Sequence, residues 1–199
     1  MYGRHDSYED YINHQKEKTT DPVRRKKWLG EEWELKLSGF KQFFHGYLAD
    51  DCLNVGAKAL CIGARTGQEV RALLDMEIEA VGIDIVPCPP LVVEGDMHNL
   101  NFEDNSFDFV FSNVYDHSLY PVKKCQEVMR VLKKGGVGVF HLQVNVNSDK
   151  YSENHIYNVK YDVLPNLQKA QIIRVEKLKP NFSGMNYEVI FKKIGGFNG

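Results

Sequence analysis

Several things are scarce in this 199-residue sequence, and each scarcity excludes something. No run of apolar residues reaches the roughly 20 needed to cross a bilayer, so a membrane-spanning protein is not expected. Neither sign of charge dominates: 25 basic side chains face 27 acidic ones, for a net charge of -2. No global field therefore draws the chain to nucleic acid. There are four cysteines, Cys52, Cys61, Cys88 and Cys125, with no C-x-x-C spacing among them. That argues against a zinc site or a disulfide framework and for reduced thiols in an intracellular protein. The opening residues, Met1-Tyr2-Gly3-Arg4-His5-Asp6, lack the apolar core of a secretory signal. The expected compartment is the cytoplasm.

One stretch organises what is there. Ala59-Leu60-Cys61-Ile62 reads as an apolar strand, Gly63-Ala64-Arg65-Thr66-Gly67 as a turn, and Gln68-Glu69-Val70 as the start of a helix. A glycine turn lets backbone come close to a ligand, and the helix start offers unpaired N–H groups. A second apolar run, Ala80-Val81-Gly82-Ile83, ends in Asp84. An acidic residue about 20 positions past a glycine turn, at the tip of the next strand, can accept from both ribose hydroxyls. The pattern is that of a nucleoside-binding half of a doubly wound fold.

The length suits a single domain. Residues 1–20 are polar and without clear period, so we expect a flexible N-terminal arm; Tyr2, Tyr8 and Tyr11 leave open a lid that stacks on a ligand. Residues 21–199 form one domain. Asp21-Pro22 caps a helix. The basic cluster Arg24-Arg25-Lys26-Lys27 beside Trp28 could touch phosphates, but Glu31, Glu32 and Glu34 follow at once, which favours a solvated face. Trp33, Leu37, Phe40, Phe44, Tyr47 and Leu48 recur at helical spacing and form a stripe that packs on a sheet, with walling the mouth of the pocket as the alternative. Strands are expected over 58–62, 79–83, 91–94, 107–112 and 137–144. Helices are expected over 68–74, with Glu69 and Arg71 outside, and over 121–132, ended by Lys133-Lys134-Gly135-Gly136. A short helix near 157–167 and strands over 171–178 and 186–194 complete the chain. Two strands joined by a tight turn run antiparallel. The fold class is therefore α/β and Rossmann-like: a doubly wound, mostly parallel seven-stranded sheet, one antiparallel strand near its edge, helices on both faces.

In five pieces, in order, the chain resembles the class I S-adenosylmethionine-dependent methyltransferases of the small type. The pieces are Leu60 to Gly67; Val81 to Asp84; Glu94-Gly95-Asp96-Met97; Phe102 to Val110; and Glu127 to Gly136. The resemblance implies S-adenosyl-L-methionine as cofactor and S-adenosyl-L-homocysteine as product. It implies that Gly63, Ala64, Arg65 and Gly67 pass the methionine end and that Asp84 and Ile85 meet the ribose. Asp96 and Met97 would meet the adenine, while Ser112 and Asn113 face the sulfonium and the acceptor. Two positions depart from the family. Cys61 stands where a carboxylate usually helps to hold the methionine end, and Arg65 where many members have a second glycine. The departures keep a second reading open, a non-catalytic S-adenosylmethionine-binding or scaffold protein of the same fold.

Methyl transfer needs a base only when the acceptor holds its proton at neutral pH. His117, in the loop after the fourth strand, is the candidate catalytic residue, with Asp116 or His141 to orient or replace it; a surface role for His117 is the alternative. His141 lies within a strand and reads as a core residue. Tyr115 and Tyr120 either line an acceptor pocket or pack. The loop Ser112-Asn113-Val114-Tyr115 lacks the Asn-Pro-Pro-Tyr-like run of amino-methylating nucleic-acid enzymes. A small-molecule acceptor is expected first, and a protein or RNA second. No metal is expected, and the oligomeric state is not legible.

Overall fold

The computed structural model describes residues 5–146 and 149–195. Its strands are β1 (Lys58–Ile62), β2 (Glu79–Asp84), β3 (Val92–Glu94), β4 (Phe107–Ser112), β5 (Leu132–Leu142), β6 (Ala170–Phe182) and β7 (Met185–Lys193). They form one seven-stranded sheet in the order β3-β2-β1-β4-β5-β7-β6. Strands β1 to β5 pair in parallel, whereas β7 runs antiparallel to both β5 and β6. The reversal follows from the two-residue connection between β6 and β7. Ser183 and Gly184 both have positive φ, 54° and 85°, the twist that a tight hairpin needs.

Helices α1 (Tyr8–Thr20), α2 (Pro22–Leu29), α3 (Trp33–Ala49), α4 (Gln68–Leu74), α5 (Pro121–Val131) and α6 (Val159–Asp162) surround the sheet. Successive side chains of a strand point to opposite faces, and β1 divides its residues accordingly. Ala59 and Cys61 pack with Phe40, Phe44 and Val70 beneath α3 and α4. Leu60 and Ile62 pack with Cys125, Val128 and Met129 beneath α5. The aromatic stripe of α3 goes where its period sends it: Leu37, Phe40, Phe44 and Tyr47 are buried. Asp21 caps α2 by accepting from Val23 and Arg24 N–H, as its place before Pro22 suggests. Among the described residues no helix is long and apolar enough to cross a membrane.

Three local expectations change. Residues 8–20, read as an arm, form α1. Its inward positions are Tyr11, Gln15 and Thr19, spaced four apart, but two of the three are polar, so hydrophobic period could not reveal them. Helix α5 does not end in a basic turn and glycine cap. It stops at Val131, and Leu132 already pairs with Phe107, followed by a bulge that resumes at Val137 opposite Phe109. Lys133 instead binds the Asp108 carboxylate at 2.8 Å. Glu69 faces inward, 4% exposed, while Arg71 alone of the two stays outside. Tyr2 lies outside the described residues.

Phe44 is fully buried and meets Phe40, Tyr47, Phe109 and Phe111. Phe44→Ala should cost about 3–5 kcal/mol of unfolding free energy, measured as a drop in denaturant midpoint with unchanged slope.

Candidate functional site

The site begins where β1 ends. Gly63 has φ +76°, and a Cβ there would stand 2.3 Å from a methyl of Val114. Only glycine allows both that backbone and that approach. Gly63 and Ala64 each donate an N–H to Ile83 O at 2.9 Å, tying the turn to the tip of β2. Gly67, φ +88°, is the N-cap of α4 and packs under Leu91. It shapes the turn from behind and does not border the cleft. Arg65 also takes a positive φ, 51°. Its guanidinium lies 4.3 Å from the centre of the Trp28 ring, a cation–π contact, and no carboxylate hydrogen-bonds to it among the described residues.

Gly63, Arg65, Asp84, Ile85, Asp96, Met97 and His117 border one cleft. Helix α1 supplies the facing wall through Tyr11, Gln15, Lys18 and Thr19. A second chamber of about 250 Å³ shares Lys18, Gly63, Arg65, Val114 and His117 with the first. It continues past Ala64, Glu69 and Asn113 to Phe40, Gln143, Ser183 and Met185. The tips of β1, β2, β3 and β4 thus meet at one edge of the sheet, the usual ligand edge of such folds.

The carboxylates of the cleft differ in what holds them. Asp84 accepts from Arg65 N–H and Val86 N–H, both at 3.1 Å. Burial raises its pKa despite those two donors. Asp96 accepts from His98 N–H at 2.8 Å and from the Tyr8 hydroxyl at 2.6 Å. Burial pushes its carboxyl up, but the bonds from His98 and Tyr8 outweigh it and bring it down to about 2. Asp96 is therefore ionised throughout the working range, and α1 is pinned to it.

His117 donates Nδ1–H to Tyr151 O at 2.9 Å, so its Nε2 lone pair faces Lys18 Nζ at 3.3 Å. Burial lowers the imidazole pKa, and Lys18 adds to this against the pull of Asp116. A neutral ring is the form a proton acceptor needs, and here the Nε2 lone pair is held by Lys18. Asp116 lies 3.8 Å from Nε2 and accepts from the Ser152 hydroxyl. His141 is remote from the cleft, in a buried group with Tyr47 and Glu188.

Ser112 departs from expectation. It is fully buried, donates to Ile62 O at 3.1 Å and accepts from Lys124 Nζ at 3.0 Å. Strand alternation turns it, like its ladder partner Ile62, toward the α5 side. Its neighbour Asn113 does border the second chamber. Tyr115 packs against Phe140 beneath the same face. Sequence reasoning missed Glu69. Burial holds the Cys61 thiol well above its usual range, and the Glu69 carboxyl adds to the rise, so Glu69 lies in the neighbourhood of Cys61. The available signal was the deficit at Cys61 itself.

The sequence pattern described as a methyltransferase domain matches residues 60–140. Over those residues the chain is similar to the methyltransferase-domain family. Solved structures agree on the fold. A 1,6-didemethyltoxoflavin-N1-methyltransferase from Burkholderia thailandensis, holding 1,6-didemethyltoxoflavin and S-adenosylhomocysteine, is 13% identical with a TM-score of 0.71. The match covers 97% of this chain and 93% of that one. A protein from Galdieria sulphuraria, provisionally assigned as a sarcosine dimethylglycine methyltransferase, is 17% identical with a TM-score of 0.61 over 77% of this chain and 85% of its own. The [4+2]-cyclase SpnF is also 17% identical, with a TM-score of 0.59 over 78% and 81%. No curated protein matches by sequence. The fold is thus shared with proteins that differ in the chemistry they perform.

Burial is the largest influence on Glu69. It raises the carboxyl from 4.5 to about 7 against the helix N–H, Arg65 and Lys36, with Asp84 adding to the rise. A carboxyl raised by folding binds its proton more tightly in the folded state. Its stabilising contribution is full below pH 4.5 and is lost as the pH climbs through about 7. Glu69→Gln should therefore gain on the order of 3 kcal/mol over the ligand-free wild type between about pH 4.5 and pH 8. Urea unfolding across that range measures the widening gap.

Proposed function

We propose that the protein transfers a methyl group from S-adenosylmethionine to a small-molecule acceptor. The observation that carries this is the cleft itself: Gly63, Asp84 and Asp96 border one space that opens into a second chamber beside His117. Asp84 keeps lone pairs for a ribose diol after accepting two backbone N–H groups. Met97 and Ile85 give apolar surface for an adenine beside Asp96. Arg65, without a carboxylate partner, suits the carboxylate of an amino-acid tail. Glu69, buried without a salt bridge, suits its ammonium and compensates for Cys61. Ala64 and Gly67 set the turn, and Asn113 borders the acceptor side.

When bound, the cofactor supplies a methyl group already activated on a sulfonium. What remains for the chain is to position and to exclude water. His117 Nε2 takes the acceptor's proton where there is one to take. Among the described residues no added domain is present to grip a polymer, which favours a small molecule over a protein or RNA. The cytoplasm is the compartment we assign, on four cysteines that form no disulfide. A second reading, binding without methyl transfer, draws on Cys61 and on the likeness to a cyclase; the fold alone does not choose the reaction.

S-adenosylhomocysteine should raise the melting temperature, and Asp84→Ala should abolish the rise; no rise at saturation would sink the reading. Glu69→Gln should weaken S-adenosylhomocysteine roughly tenfold. Methylthioadenosine, which lacks the amino-acid tail, should bind wild type and variant alike by calorimetry.

A further inference from the structure

The second chamber is lined by more positive charge than the proposed donor can use. Four cationic side chains border it, Lys18, Arg24, Lys36 and Arg65, against the one carboxylate of Glu69. Two of the four are already matched. Lys18 binds Asp149 at 2.7 Å, and Lys36 binds Glu32 at 2.7 Å. Arg65 and Glu69 take up the zwitterionic tail of the donor on the reading above. Arg24 is left over. Its nearest carboxylate is Asp21, at 4.0 Å and from the same helix turn, too far for a hydrogen bond. Its guanidinium also lies 5.5 Å from the centre of the Tyr151 ring, a cation–π contact.

The donor makes the imbalance worse. Its zwitterionic tail is neutral, and its sulfonium brings another positive charge to a wall that is already cationic. Like charges at a few ångströms in a partly desolvated cleft repel strongly. An anion in the chamber removes that cost, and the acceptor is the molecule that must enter it. We propose that the acceptor is a small organic oxyanion, a carboxylate or phosphate ester, whose charged group is gripped by Arg24. The rest of the chamber describes its other end. Phe40 and Met185 offer apolar surface, and Gln143 and Ser183 offer polar atoms at the far wall. The proposal rests on the donor reading, because it assigns Arg65 and Glu69 to the donor first.

Calorimetry tests it with three probes: inorganic phosphate, benzoate, and benzamide as the neutral counterpart of benzoate. Each is titrated into the protein alone and into the protein saturated with S-adenosylhomocysteine. At least one oxyanion should bind, more weakly as salt rises, and benzamide should not. Phosphate and benzoate together tell which oxyanion the chamber prefers. Arg24→Met should weaken that oxyanion roughly tenfold or more while leaving S-adenosylhomocysteine affinity within about twofold; Arg24→Lys should restore part of the loss. Thermal melting shows that the variants fold. The proposal is overturned if neither oxyanion binds better than benzamide, or if Arg24→Met binds as wild type does. If S-adenosylhomocysteine itself fails to bind, the donor reading falls, and the titrations of the free protein still decide whether Arg24 holds an anion.

Discussion

Everything functional in this molecule depends on β1 being paired in parallel on both sides. Its ladder with β2 and its ladder with β4 run in the same direction, so the loops leaving all three strands emerge at one edge. The glycine turn can then be tied to Ile83 O, and Asp84 can accept from the backbone of Arg65. One backbone-to-carboxylate bond thereby joins the first loop to the second. Parallel strands need crossovers, and the crossovers α4 and α5 fall on opposite faces, burying the strands between them. The shape of the cleft is thus a result of topology before it is a result of any one side chain.

Charge inside the cleft is distributed by burial and by backbone. Asp96 stays ionised because donors converge on it, whereas Glu69 is raised toward neutrality because little reaches it. His117 is held neutral by its surroundings with a defined hydrogen-bonded nitrogen. The three groups are of types that titrate far apart or close together depending only on their setting. In this protein the setting separates a fixed anion, an uncharged ring and an adjustable acid within one space. Adjustable acids in clefts are common at functional sites.

Much of this was legible in the sequence because apolar runs and turn residues report directly on strands and loops. Strands β1, β2 and β4, the stripe of α3, the cap at Asp21 and the reversed strand near the edge all follow from such signals. The sites of failure share a cause. Helix α1 buries Gln15 and Thr19, α4 buries Glu69, and β4 buries Ser112 against Lys124. In each case a polar side chain points inward, where a reading based on hydrophobic period assumes apolar ones. The expected outward Glu69 came from treating polarity as exposure, and the cleft-facing Ser112 from a position carried over by the family resemblance. Tertiary partners decide those positions, and they are distant in sequence.

Helix α1 is fastened mainly by hydrogen bonds. Tyr11 donates to His117 O, Gln15 to Tyr151 O, and Tyr8 to Asp96, while Tyr11 is the only large apolar body it buries. The bonds to the two carbonyls are matched closely by those that water would make and add little net stability, whereas the bond to the ionised Asp96 carboxylate adds more. A wall attached in this way has less latitude than one seated on a greasy face, because donors and acceptors must match. A fixed register for the chain's first helix, set by matched donors and acceptors, is what this seam confers.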